Sequence, residues 1–321
     1  MKLFSILLAA LTFTHASVQA QPYPNKVVRI IVTAGPGSSA DLLARITADE
    51  LGKKLNQPFI VENRPGAGGN IAAEVVAKSK PDGYTLLMST VSTHGINPSL
   101  YEKLSFDPIK DFVPIALLAS NPNVLVVSPT LPVNNLQELI ALAKKTPAGF
   151  TYSSGGTGTS QHLAAEMMAA QAGIQLIHIP FKSAPESINA LLGGQVTMSF
   201  ASIPVAQAQI KAGKLKAIGV TAKKASPAWN ELAPPLALQG LSDFDVSAWF
   251  GLVAPAGTPP AIVQTVNREV VTIFKRPDIQ TKLTGLGMEE LSGTPEFFDQ
   301  FIRSEIKRWA KIVSSSGAKP E

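Results

Sequence analysis

The chain of 321 residues contains no cysteine. That excludes disulfide staples, and with them the small cystine-rich secreted scaffolds. Histidine is scarce: His15, His94, His162 and His178 are all there is. With no thiolate and so few imidazoles, a structural zinc site has no ligand set, so neither a metal nor a cofactor is expected. Charged residues make up only 16% of the chain, too few for a disordered protein. The net charge of +5 is spread along the chain, with no run of five or six basic residues. A basic total without a basic stripe or interleaved aromatics leaves no footprint for nucleic acid. Past the N-terminus no stretch approaches eighteen uninterrupted apolar residues. The mature chain is therefore expected to be soluble.

What is present begins with the first twenty residues, "MKLFSILLAALTFTHASVQA". One basic residue, Lys2, precedes an apolar run from Leu3 to Phe13, and Val18-Gln19-Ala20 ends in small residues suited to signal peptidase. The run is too short for a permanent anchor, so residues 1–20 are predicted to be a cleaved secretory signal. The other reading is an amphipathic or buried N-terminal helix. Cleavage removes Lys2 and His15 from any functional argument. An exported chain without disulfides fits a bacterial periplasm and is held together by its cores, for which a 45% hydrophobic composition is ample.

Strand and helix signals then alternate to the end. "KVVRIIVTA" reads as a buried strand and "ADLLARITADELGKKL" as a helix, with Leu42, Leu43, Ile46 and Leu51 near one face. "PFIVE", "YTLLMS", "VPIALLAS", "NVLVVSP", "QLIHIPF", "QVTMSFAS", "LKAIGVT" and "DVSAWFGLVAP" read as further strands. "IAAEVVAKSK", "NLQELIALAKK", "ESINALLGG" and "PVAQAQIKAG" read as helices. The clearest helix is "FFDQFIRSEIKRWAKIV", with Phe298, Phe301, Ile302, Ile306, Trp309 and Val313 at three- and four-residue steps. Such alternation predicts an α/β fold with parallel sheets covered on both faces. Two glycine-rich strand-to-helix loops lie more than a hundred residues apart, at 34–41 and 153–161. Two crossovers are also visible, Leu118 to Val124 and the Ala/Pro-rich stretch 222–245. A chain crossing out and back predicts two domains: 21–120 plus 246–321, and 121–245.

The two loops, "TAGPGSSADLLAR" and "SSGGTGTSQHLAA", share a design. Each feeds a helix N-terminus, where unpaired N–H groups and a partial positive charge attract anions. Glycine lets the backbone approach, and Ser and Thr hydroxyls add donors. Neither matches a nucleotide loop: the lysine of GxxxxGK[ST] and the third glycine of GxGxxG are missing. With no Lys or Arg in residues 34–41 or 153–161, a carboxylate fits better than a highly charged phosphate. The simpler reading of either loop alone is a connection. Asp41, in the first helical turn, satisfies the helix dipole itself and repels an anion unless it is turned away. Otherwise it meets a polar or cationic part of a ligand.

Catalysis has little support. Ser153, Ser154 or Ser160 with His162 lacks the G-x-S-x-G elbow and an orienting carboxylate. His94, in "STVSTHGINPSLY", is placed in a polar loop that forms part of a cleft floor with Ser92 and Thr93. Met167 and Met168 read as core, Arg64 as a loop-fixing ion pair, and Trp249 and Phe181 as packing by default.

Together, "VENRPGAGGNIAAEVVAKSKPDGYTLLM", "STHGINPSLY", "ALLGGQVTMSFASIP", "IKAGKLKAIGVT" and "SAWFGLVAPAGTP" resemble the Bug-type receptors. These are the extracytoplasmic solute-binding proteins of tripartite tricarboxylate transporters. The likeness runs in order through the final helix. It implies a two-domain periplasmic-binding-protein architecture, type II-like, hinged and closing on a small organic acid. It implies delivery to a membrane permease of one large and one small subunit, and a monomer. In the family, loops from opposite domains pinch a ligand carboxylate. Here they are Gly37, Ser38, Ser39, Ala40 and Asp41, and Ser154, Gly156, Thr157, Gly158, Thr159 and Ser160.

Three departures bear on the ligand. Ala40 stands where the family often has threonine, and Gln161 where it often has proline. Ala201, before Ser202, stands at an often acidic position. With Ala201 in the cleft, a ligand amino group loses its partner, which favours a non-amino mono- or dicarboxylate, aromatic acids included. Two readings compete with the receptor: a sensor of the same fold signalling to a membrane kinase, and a Ser/His hydrolase.

Overall fold

A computed structural model describes residues 23–146 and 149–320. The expected signal segment 1–20 lies outside them. Among the described residues ten strands and ten α-helices follow one another: β1 Val28–Val32, α1 Ser39–Leu55, β2 Phe59–Asn63, α2 Asn70–Ala77, β3 Thr85–Thr90, α3 Asn97–Leu100, β4 Phe112–Val127, α4 Leu136–Lys145, β5 Phe150–Ser154, α5 Ser160–Ala172, β6 Leu176–Pro180, α6 Ala184–Leu192, β7 Met198–Ser202, α7 Ile203–Lys211, β8 Lys216–Val220, β9 Ser247–Pro255, α8 Pro260–Phe274, α9 Pro277–Gly285, β10 Glu289–Glu290 and α10 Pro295–Ser316.

The fold is α/β with two lobes, and one long strand belongs to the sheets of both. β1 pairs in parallel with β2 and β3, and β3 pairs antiparallel with β9. In the other lobe β5 pairs in parallel with β6 and β7. The sequence suggests two strands, "VPIALLAS" and "NVLVVSP", where the structure has the single sixteen-residue β4. Its first part, as far as Pro122, pairs with β9; its last part, from Asn123, pairs with β7 and β8. Pro122 is tolerated because it stands where the partners change, so its missing N–H breaks no continuous ladder. The expected purely parallel sheets are corrected accordingly. β4 runs antiparallel to β9, β7 and β8, because β4 and β9 carry the chain out and back. Thr221 and Val246 close the return: Thr221 N–H donates to the Asn123 carbonyl and Val246 N–H to that of Thr221.

The main apolar core runs through both lobes, from Val28 and Ile30 to Tyr152 and Leu163. α10 lies across it, packing on β4 and on α5. Its buried stripe is Phe298, Ile302, Trp309 and Val313, each fully buried large side chain contributing about 1.5–3 kcal/mol. Glu305 is buried on the same face but fully bonded, accepting from Trp249 Nε1 (2.9 Å), Trp309 Nε1 (2.8 Å) and Arg308 Nε (3.0 Å). Trp249 therefore belongs to the packing, as expected. A smaller core, with Val124, Ala201, Val220 and Trp229, fills the far side of the second lobe.

Candidate ligand-binding cleft

α1 and α5 start alike. Ser38 caps α1, its Oγ accepting from Asp41 N–H (3.3 Å) and its carbonyl from Leu42 N–H (2.9 Å). Thr159 caps α5, its Oγ1 accepting from His162 N–H (3.4 Å) and its carbonyl from Leu163 N–H (3.1 Å). The N–H groups of the first two helical residues, Ser39–Ala40 and Ser160–Gln161, then have no intrahelical acceptor. The fourth residue after a loop glycine reaches back in both. Asp41 Oδ2 accepts from Gly37 N–H (2.9 Å), and His162 Nδ1 accepts from Gly158 N–H (3.3 Å).

Both helix starts line one cavity of about 780 Å³, within the range of small-molecule sites. Of the predicted residues, Ser38, Ser39, Ala40, Ser92, Gly156, Thr157, Thr159, Ser160 and Ser202 are in its wall. The Ser202 hydroxyl is buried there with no protein partner among the described residues.

Seven predicted residues are not in the wall, each for a physical reason. Gly37, at φ +78°, spends its N–H on Asp41. Asp41 is turned away, bonded to Arg45 (2.9 Å) and Asn63 (2.9 Å). Burial raises the Asp41 pKa, but the Arg45, Gly37 and Asn63 hydrogen bonds outweigh it and hold the carboxyl below its ordinary value. Thr93 and His94 are fully buried in a π-helical turn, Ser92–Ile96, rather than in a polar loop. Ser154 bonds His178 Nε2 at 2.6 Å behind the wall. Gly158 packs on Asn97, Leu100 and Tyr101. Ala201 sits in the smaller apolar core, so the amino-group argument drawn from it has no place in the cleft.

The sequence reading missed much of the wall. Asn121 and Asn123 reach it from β4, and Gly66–Gly69 from the loop after β2. The loop after β6 adds Lys182 and Ser183, and with them Phe181, which is in the wall rather than only in packing. The loop's signal was available in the S-x-x-E spacing of a helix start: Ser183 caps α6, its Oγ accepting from Glu186 N–H (3.4 Å) and donating to Glu186 Oε1 (3.0 Å). Lys182 is the one cation and Glu186 the one acid among the described residues of the wall. No group of three or more His, Cys, Asp or Glu side chains among the described residues is placed to hold a metal. The wall thus offers two converging sets of N–H and O–H donors and one exposed positive charge, which suits an anionic organic molecule.

The family model for the tripartite tricarboxylate transporter family receptor matches residues 43–318. This chain belongs to that receptor family. It is similar to Protein BugT of Bordetella pertussis, 33% identical over 305 residues, covering 95% of this chain and 93% of BugT. Among solved structures it is similar to R. palustris Rpa4515 with adipate, with a TM-score of 0.90 and 31% identity, covering 93% of this chain and all of that one. It is also similar to MatC (Rpa3494) from Rhodopseudomonas palustris with bound malate, with a TM-score of 0.85 and 32% identity, covering 91% of this chain and 100% of that one. Receptors of this family bind and deliver; they are not enzymes, which removes the hydrolase reading. The Ser154–His178 pair is a partly buried structural contact in that setting.

Proposed function

We propose that this receptor captures a small organic dicarboxylate in the periplasm. It then hands the ligand, as a monomer, to a membrane permease of one large and one small subunit. The observation that carries the reading is the pair of helix starts, Ser39–Ala40 and Ser160–Gln161, lining a single cavity from opposite lobes. One carboxylate sits between them, held by backbone N–H groups and serine hydroxyls. The second reaches toward Lys182, the cation of the loop after β6. The dicarboxylates adipate and malate, bound by the two similar proteins, support this class. The lobes we assign are 21–120 plus 246–321 and 121–245, and the change of β4 partners at Pro122–Asn123 supports that division. Residues 1–20 serve as the export signal. No helix among the described residues is long and apolar enough to cross a membrane.

The test is a thermal-shift panel of mono- and dicarboxylates, amino acids and sugars. A ligand at a hundredfold excess over Kd stabilises the fold by about 2.7 kcal/mol, a rise of roughly 5 °C for a chain of this size. A dicarboxylate is expected to give that rise, and Lys182→Ala to weaken it more than it weakens any monocarboxylate. A shift confined to sugars or other neutral molecules overturns the reading.

A further inference from the structure

Asn121 and Asn123 project from one face of β4, two residues apart, where its sheet partners change. Each is almost fully buried, at 1% and 2% exposure, yet both belong to the cavity wall. Asn121 Nδ2 donates to Ser39 Oγ at 3.1 Å. Asn123 Nδ2 donates to Ser160 Oγ at 3.1 Å. Ser39 and Ser160 are the first residues of α1 and α5, one in each lobe. A hydroxyl has a single proton. When its oxygen receives an amide N–H, that proton is left to donate elsewhere, and the neighbouring space is the cavity.

We propose that Asn121 and Asn123 set the polarity of the cleft. By donating to Ser39 and Ser160, they hold both hydroxyls as donors toward ligand oxygen. They act as positioning residues that select a carboxylate over a neutral molecule of the same shape. The device also ties both halves of the anion site to the one strand that the lobes share. The proposal rests on the carboxylate reading above and assigns its selectivity to residues outside both glycine loops.

The isosteric variants Asn121→Asp and Asn123→Asp test it. An ionised carboxylate accepts where the amide donated, so the serine proton turns toward it and away from the ligand. Titration calorimetry with adipate and malate, together with the neutral diamide of each, gives the readout. At about pH 8 each variant is expected to lose roughly a hundredfold in affinity for the diacid, the loss of a charge-assisted hydrogen bond plus repulsion. The diamide, which carries no charge, is expected to lose less. Near pH 5 the buried Asp, whose pKa burial raises, takes up a proton and becomes a donor again. Diacid binding by the variants is then expected to recover about tenfold relative to wild type. A merely structural role predicts no such recovery. A double-mutant cycle guards against misfolding of the Asp variants: Asn121→Ala is expected to cost less affinity in a Ser39→Ala background, and Asn123→Ala less in Ser160→Ala. Folded variants that bind the diacid within about threefold of wild type at pH 8, or additive cycles, overturn the proposal. A wild-type protein that binds neither diacid nor any other carboxylate overturns the reading beneath it as well.

Discussion

His94 is fully buried, bonded through Nδ1 to Thr93 Oγ1 at 2.9 Å and packed edge-on against Phe112. Its Nε2 has no partner among the described residues. Burial lowers its pKa to about 3, and burial lowers that of His178 to about 4. Both imidazoles are therefore neutral in the folded protein wherever the unfolded chain begins to protonate them, near pH 6.5. Their contribution to stability is complete above that value and is lost as pH falls toward the folded pKa values. Urea unfolding between about pH 7 and 4.5 is expected to show a falling free energy, with a shallower fall in His94→Gln. An NMR titration that finds the His94 ring protonating above pH 6 contradicts this. The burial was not legible in "STHGIN", which carries hardly any apolar side chain. What covers the turn is α10, from the far end of the chain, with Gly95 so close to Trp309 that a Cβ would lie 2.9 Å from its Cδ1. Ala201 and Ser202 show the same limit at a strand. Only the register of β7 decides which of the two neighbours faces the cavity, and that register is set by β4 and β5.

At the scale of elements, the two glycine loops and their helices were readable because a glycine run before an apolar-striped helix has few alternatives. The partners of those loops were not readable. Asn121 and Asn123 interrupt an apolar run, a pattern that marks a crossover but says nothing about which hydroxyls the amides will meet. Nor does sequence show that the loops after β2 and β5 touch. A Cβ on Gly68 would come within 2.7 Å of the Thr157 carbonyl, and one on Gly158 within 2.5 Å of Asn97 Oδ1. These contacts join opposite lobes at the rim of the cavity. Gly158→Ala therefore carries two costs: left-handed strain of about 1 kcal/mol, and a clash relieved by parting the lobes. Gly173→Ala is the control, because Gly173 is also left-handed, at φ +61°, with nothing within 4 Å of an added Cβ. Both variants are expected to lose similar stability without ligand. Only Gly158→Ala is expected to lose about tenfold or more in carboxylate affinity by calorimetry. Equal affinities in the two variants would sever the link between this contact and binding.

For the molecule as a whole, two lobes do not imply two folding units. The main core passes from Val28, Leu43 and Leu86 through β4 and β9 to Phe150, Tyr152 and Leu163 without a break. α10 reinforces that continuity, since it packs against the turn before α3, against β4 and against α5. Removing either lobe would expose the apolar face of the other, so neither is expected to persist alone. Scanning calorimetry should then give one transition, with calorimetric and van't Hoff enthalpies in a ratio near one. Native-state hydrogen exchange should report the same largest opening free energy for the amides of β1 and β3 as for those of β5 and β7. Trp309→Ala, which empties the buried centre of α10, is expected to cost about 3–5 kcal/mol and to lower both sets of amides together. If the β5 and β7 amides keep their protection while β1 and β3 lose theirs, the lobes unfold independently. The hinge would then be a linker between two domains, and closing on a ligand would have to supply the stability that the shared core is held here to provide.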